Sequence, residues 1–199
     1  MTSVEFLVGE GWLDTCAGRK ILEVLGLSMD AGRCIDKRGK NAFWRDVAKY
    51  DQLARKDGLV VALTDLDDAV CPSALIAQQL QRKPSDRFLL RIAARKLESW
   101  LLADATAFAR RFAVPTAKVP AQPDMLADPK QALVNLARMS RLRSIVEDVV
   151  PESGMSSPVG KGYSRIVEKY IFTEWDPLVA SERSPSLARA IGAIRRATA

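Results

Sequence analysis

The run Val60-Val61-Ala62-Leu63-Thr64-Asp65-Leu66-Asp67-Asp68 constrains the fold more than any other stretch of the chain. Four apolar residues lead without polar alternation toward three carboxylates. Such a run predicts a strand buried on both faces, as in a parallel sheet covered by helices. The carboxylates then fall where the strand leaves the sheet, and ligands of open α/β sheets bind beyond the carboxyl ends of strands. If extended geometry continues, Asp65 and Asp67 share one side. Two such carboxylates repel each other unless protons or a cation intervene. A hard divalent ion, Mg²⁺ or Mn²⁺, takes oxygen ligands of this kind.

The remaining chain supplies elements that fit around this strand. Val4-Glu5-Phe6-Leu7-Val8-Gly9 reads as another buried strand, with Glu10 at its carboxyl end. Ile21, Leu22, Val24 and Leu25 predict an amphipathic helix over Asp14–Leu25, with Gly26 as its stop. Leu27–Ile35 reads as a short, weaker strand, followed by the basic loop Asp36-Lys37-Arg38-Gly39-Lys40. A helix starts at Lys40 or Asn41 and buries Phe43, Trp44, Val47, Ala48 and Leu53. Pro72 and Ser73 open a further helix to about Gln81. Arg87–Ala93 reads as a fourth strand, and Lys96–Phe112 as one long helix with Leu97, Trp100, Leu101, Phe108 and Phe112 as its apolar stripe. Strands alternating with helices imply βαβ units and a mainly parallel four-stranded sheet of Rossmann-like type.

The sequence changes character after Val114. Pro115, Pro120, Pro123 and Pro129 mark irregular chain, and helices are expected over Asp128–Ser140, Ser144–Val150, Tyr163–Phe172 and Pro185–Arg196. The expected organisation is an α/β core over residues 1–112 and a helical C-terminal extension, 113–199, packed on it.

Composition narrows the chemistry. The chain has 199 residues and no histidine, which removes Ser-His-Asp, Cys-His and His-containing zinc sites. Cys16, Cys34 and Cys71 are odd in number and form no CxxC pair, so they read as buried thiols. No apolar run is long enough to span a membrane and no signal peptide opens the chain, so a cytoplasmic protein is expected. Residues 1–70 hold 10 Lys/Arg against 12 Asp/Glu, whereas residues 71–199 hold 20 against 12. An acidic site beside a basic remainder suits a metal-dependent enzyme acting on a phosphate polymer, although a net charge of +6 is also common among soluble proteins.

Glu10 and the Asp65, Asp67 and Asp68 cluster are therefore candidate metal ligands, and they meet if the first and third strands are neighbours. Glu10 is also a candidate proton donor or acceptor. Glu98, near the start of the long helix, is a secondary candidate whose plain alternative is an ion pair with Arg91 or Arg95. Arg95 reads as a phosphate contact or as that partner. Asp104 reads as a cap or a solvated side chain. Arg138, Arg141 and Arg143, with Lys37, Arg38 and Lys40, are the best basic clusters for a nucleic-acid backbone, against the commoner reading of solvated surface. Gly160-Lys161-Gly162 lacks the GxxxxGK[ST] frame and is no P-loop. Of Trp12, Trp44, Trp100 and Trp175, Trp12 alone sits beside the expected crevice.

Strand-Glu10-Gly11-x-x-Asp14 followed by strand-Asp65-x-Asp67 resembles the Toprim domain of primases, topoisomerases and the OLD family of nucleases, over about the first 95 residues. The resemblance implies Mg²⁺ bound by Glu10, Asp65 and Asp67 for phosphodiester chemistry, with Asp14 and Asp68 as secondary candidates. It also implies a lysine beyond the acidic strand, for which Lys161 is the candidate. Arg91-Ile92-Ala93-Ala94-Arg95-Lys96-Leu97-Glu98-Ser99-Trp100-Leu101-Leu102-Ala103-Asp104, with Trp175-Asp176-Pro177 and Ser184-Pro185-Ser186-Leu187, resembles a family of small bacterial Toprim-like proteins. These are encoded beside ATPases in phage-defence settings. Gly9 departs from the apolar residue that often precedes the glutamate. With no separate cleavage, ATPase or zinc module, and nothing around Tyr50, Tyr163 or Tyr170 to make a nucleophile, a stand-alone nuclease is expected rather than a primase or topoisomerase. Three readings follow, each compatible with a homo-oligomer: a Mg²⁺-dependent nuclease on DNA or RNA with an ATPase partner, a non-cutting nucleic-acid-binding or regulatory subunit of such an ATPase, and a small-molecule phosphotransfer or phosphohydrolase enzyme on a flavodoxin-like sheet.

Overall fold

The computed structural model describes residues 4–27, 29, 31–56, 58–80 and 82–199. Four strands form one sheet in the order β2-β1-β3-β4: β1 (Val4–Gly9), β2 (Cys34–Asp36), β3 (Leu59–Asp65) and β4 (Phe88–Ala93). Every pairing is parallel, with Leu7 opposite Val61 and Leu63 opposite Arg91. The expected α/β architecture is thus present.

The apolar run of β3 serves both faces at once. Val61 and Leu63 join the core beneath α1 (Trp12–Val24), whereas Val60 and Ala62 join a separate cluster beneath α2 (Lys40–Lys56) and α3 (Pro72–Gln79). Successive strand side chains alternate between faces, so a strand sandwiched between helices carries an unbroken apolar run, here residues 59–63, with Thr64 and Asp65 only at its end. The chain leaves β1 first toward β2 and later returns to place β3 on the other side of β1. The order therefore reverses between β1 and β3, which is where a crevice opens at the carboxyl ends.

The expected long helix is two helices, α4 (Glu98–Ala103) and α5 (Ala105–Phe112). Asp104 breaks it by leaving the helical region (φ −82°, ψ 76°) and capping α5, accepting from the Ala107 N–H at 3.1 Å. Its other oxygen accepts from the Asp176 N–H at 3.1 Å, so this buried carboxylate is a cap. The later helices are α6 (Pro129–Ala137), α7 (Arg143–Val149), α8 (Tyr163–Thr173), α9 (Pro177–Ser181) and α10 (Pro185–Thr198). Among these, α9 is an element that the sequence pattern did not predict. In the stretch expected to be a strand over 27–35, residues 28 and 30 lie outside the described residues. Ala31–Arg33 is a 3-10 turn, and β2 begins only at Cys34. Gln81, expected to end α3, also lies outside the described residues.

The helices after residue 113 share one apolar core with the sheet through α4. Trp100 donates its indole N–H to Ser186 Oγ at 2.7 Å, Trp175 donates to the Trp100 carbonyl at 3.2 Å, and Tyr170 donates to the Leu101 carbonyl at 3.1 Å. All three rings are buried, and each polar tip finds a partner, as burial requires. Of the three cysteines expected to be buried thiols, Cys16 is buried, whereas Cys34 and Cys71 are half-buried. No helix among the described residues is long and apolar enough to cross a membrane.

Candidate metal centre

The end of β1 turns tightly. A Cβ at Gly9 would come within 2.7 Å of the Thr15 nitrogen and 2.8 Å of the Gly11 carbonyl, so only glycine allows α1 to start this close to the strand. Glu10 is then pinned between strands: its N–H donates to the Leu63 carbonyl at 3.0 Å and its carbonyl accepts from the Gly39 N–H at 2.8 Å. Thr64 Oγ1 donates to Glu10 Oε2 at 2.5 Å. Asp65, the last residue of β3, accepts from the Leu97 N–H at 2.7 Å, and Asp14, in the first turn of α1, accepts from the Gly11 N–H at 2.8 Å.

These residues surround one cleft of ≈ 260 Å³, lined by Glu10, Trp12, Asp14, Asp65, Glu98 and Lys130 among others. Glu98 is buried. Its Oε1 accepts from Tyr163 Oη at 2.6 Å and lies 3.4 Å from Lys130 Nζ, while its Oε2 is buried with no hydrogen-bond partner among the described residues. Four carboxylates thus share the cleft with one lysine. Like charges at low exposure favour the protonated form. Burial raises Asp14 to about 7, opposed by the Gly11 N–H and reinforced by Glu10 and Glu98. Burial, then the charges of Asp14, Glu98 and Glu10, push Asp65 well above the usual carboxylate range. Glu10 is raised by burial against the counteracting Thr64 hydrogen bond. Burial works to lower Lys130, but Glu98 and Asp65 outweigh it and hold the ammonium charged.

The donor set fits a hard divalent cation. It consists of carboxyl oxygens whose mutual repulsion a cation would relieve, and one of them, Glu98 Oε2, is buried with no hydrogen-bond partner among the described residues. Among the described residues no three His, Cys, Asp or Glu side chains already form a ready-made cage. Each carboxylate is held by its own hydrogen bond. Mg²⁺ characteristically keeps most of its waters and uses only one or two carboxylates, for which Glu10 and Asp65 are the nearest to the strand ends.

The other candidates fall elsewhere. Extended geometry does not continue past Asp65. Asp67 adopts a left-handed φ of 48°, its N–H donates to the Arg95 carbonyl at 2.8 Å, and its carboxylate turns to Lys40 Nζ at 2.7 Å. Asp65 and Asp67 therefore do not share a side, and neither Asp67 nor the exposed Asp68 lines the cleft. Asp67 still lies close enough to raise Glu10. Arg95 is not the partner of Glu98. Its guanidinium donates to the Asp67 and Ala69 carbonyls at 2.7 and 3.1 Å, holding the acidic loop from inside.

Lys161 is exposed and pairs with Glu152 at 3.1 Å; the lysine in the cleft is Lys130, which no spacing argument singled out. Arg38 is exposed beside Asp36, whose Oδ1 accepts its N–H at 2.8 Å. Lys40 stands over Asp67. Arg143 is exposed and pairs with Glu147 at 2.7 Å, and the exposed Arg141 borders a different hollow, with Ala113 and Pro115. Besides Lys130, the site includes two hydroxyls that no motif marks for this role: Thr64, which orients Glu10, and Tyr163, which orients Glu98. The only signal for Thr64 was its place next to Asp65. No family model, curated protein or solved structure matches the chain.

Proposed function

We propose that this chain is a Mg²⁺- or Mn²⁺-dependent Toprim-type nuclease that hydrolyses phosphodiester bonds of DNA or RNA in the cytoplasm, as the effector of a phage-defence system with an ATPase partner. The observation that carries the reading is one cleft at the β1/β3 reversal, where Glu10 and Asp65 from adjacent strand ends meet Asp14 and Glu98. The sequence resemblance supplies the reaction class. Glu10 and Asp65 would hold the metal. When bound, such an ion would polarise a phosphoryl oxygen and acidify a coordinated water. Thr64 orients Glu10, and the Leu97 N–H orients Asp65. Glu10, raised above its ordinary value by burial, is also the candidate to exchange a proton at its carboxylate. Lys130 offers the one cation inside the cleft for a phosphate oxygen.

Glu10→Ala and Asp65→Ala should each lower Mg²⁺- or Mn²⁺-dependent cleavage of plasmid or RNA by about 10³-fold or more, several kcal/mol of transition-state stabilisation. Cleavage that survives either change, or survives EDTA, sinks the mechanism. A second reading, a non-cutting nucleic-acid-binding or regulatory subunit, is favoured by the lysines already set against the acidic residues, Lys40 on Asp67 and Lys130 on Glu98. Mg²⁺ calorimetry separates the two, because a degenerate site takes up no ion through Glu10 or Asp65.

A further inference from the structure

Trp12 is the only exposed residue among the chain's tryptophans, tyrosines and phenylalanines, at 43% of its maximal exposure. Trp100 and Trp175 are each 1% exposed, so the fold has ample capacity to bury an indole. Its ring makes no aromatic or cation contact and its N–H no hydrogen bond among the described residues. Trp12 is also the first residue of α1 and lines the acidic cleft. Side chains lean toward the N-terminus of their helix, and that end of α1 opens on the cleft. A large apolar ring therefore stands partly in water at the mouth of a site that carries four carboxylates and Lys130.

We infer that Trp12 is a stacking platform for an unpaired nucleobase, so that the cleft takes single-stranded or frayed nucleic acid in preference to continuous duplex. This rests on the nuclease reading above. The cleft, at ≈ 260 Å³, is smaller than the about 300–1,000 Å³ of pockets that enclose a drug-sized ligand. It admits a sugar-phosphate unit and leaves the base at the rim. The carboxylates repel a phosphate that arrives without a cation, whereas a base offers a neutral face that binds through stacking and apolar area. Stacking is tolerant of sequence because every base has a π-face. In a duplex both faces are covered by neighbouring pairs, so an indole gains a base only where the strand is unpaired or the base is flipped out.

The test measures binding of one labelled oligonucleotide as single-stranded DNA, single-stranded RNA and DNA duplex, by fluorescence anisotropy in Ca²⁺, for the full chain and for Trp12→Ala and Trp12→Phe. Single strands should bind at least several-fold tighter than duplex. Trp12→Ala should weaken single-strand binding by about tenfold, within the range of base–aromatic stacking, and leave duplex binding unchanged. Trp12→Phe should retain most of it. Unaltered melting of both variants keeps the comparison interpretable. Equal binding of both forms, or single-strand binding indifferent to Trp12→Ala, overturns the inference while cleavage through Glu10 and Asp65 can still stand. A dimer in sedimentation that Trp12→Ala dissociates also overturns it, since the indole is then a contact between copies. Binding of no nucleic acid at all overturns this inference and the nuclease reading together.

Discussion

Two groups of low-exposure acids lie in this molecule, and they are treated in opposite ways. On α2, Asp46 is flanked by Lys37 Nζ at 2.6 Å and Lys49 Nζ at 2.8 Å. One turn on, Asp51, with a fully buried side chain, takes Arg55 at 3.2 Å, Arg82 at 3.3 Å and the Ser85 N–H at 2.6 Å. Each of these acids has at least two cations, and hydrogen bonds from Lys37 and Lys49 hold Asp46 well below the usual carboxylate range. In the cleft, Glu10, Asp14, Asp65 and Glu98 share Lys130, and burial with mutual repulsion drives Asp14 to about 7. The same residue types therefore do structural work where cations outnumber them. Where they do not, burial and mutual repulsion push them toward the protonated form, a strain that a bound cation would relieve. A fold tolerates such a strain when it serves a ligand.

The sharpest way to break this contrast is to remove one charge from each group with little change of shape. Asp51→Asn should destabilise the fold by about 2 kcal/mol, the usual cost of losing hydrogen bonds to charged partners around a buried group. Asp65→Asn can still accept the Leu97 N–H and removes one repelling charge. It should leave stability at pH 8 unchanged or raise it, while cleavage is lost. Urea midpoints of the two variants decide the matter. A destabilisation of Asp65→Asn as large as that of Asp51→Asn would make the cleft an ordinary structural network.

Titration separates the groups next. The folded-state value of Asp14, about 7, lies above its ordinary 3.8, so the folded chain binds more protons than the unfolded chain between those values. Stability from this group is therefore greatest in acid, falls as pH rises through that window, and levels off above about pH 7. Asp46 has the opposite sign: its contribution is present above its ordinary value and is lost as pH falls into the acid range. Urea midpoints of the wild type, taken from pH 5 to pH 8, should carry a downward component that Asp14→Asn lessens. Saturating Mg²⁺ should recover stability at pH 8, as a ligand of the folded state does. An unchanged slope in Asp14→Asn would break the picture of mutually repelling acids.

What the sequence made legible follows from the range of the forces involved. β3 and β4 were readable because burial on both faces writes an unbroken apolar run into the chain, as in Val60–Leu63 and Phe88–Leu90. Glu10 and Asp65 were readable because strand ends locate themselves once strands are found. Asp67 was not, because its left-handed turn depends on Arg95 gripping the Asp67 and Ala69 carbonyls from across the loop. Lys130 was not, because it reaches the cleft only through the packing of α6 against α4, and no local spacing encodes a contact between such distant segments. The break at Asp104 was hidden for a similar reason. A buried aspartate used as a cap inside an apolar stripe looks, from sequence alone, like one polar position of a continuous helix.

Lys40 and Asp67 form the intermediate case, and they give the finest test. The pair is one-to-one at 2.7 Å, with side chains 44% and 25% exposed, so water screens it. Its coupling, measured by a double-mutant cycle of Lys40→Gln and Asp67→Asn, should be below about 1 kcal/mol. A coupling well above that would place Asp67 with Asp46 and Asp51 among the structural acids. Lys40 also counters the charge on Glu10, so its loss leaves the cleft more negative. Lys40→Gln should therefore tighten Mg²⁺ binding by a few-fold in calorimetry, a shift that low salt enlarges and high salt removes. If Mg²⁺ binding weakens instead, Lys40 holds the acidic loop in place, and the charge surplus of the cleft is set without it.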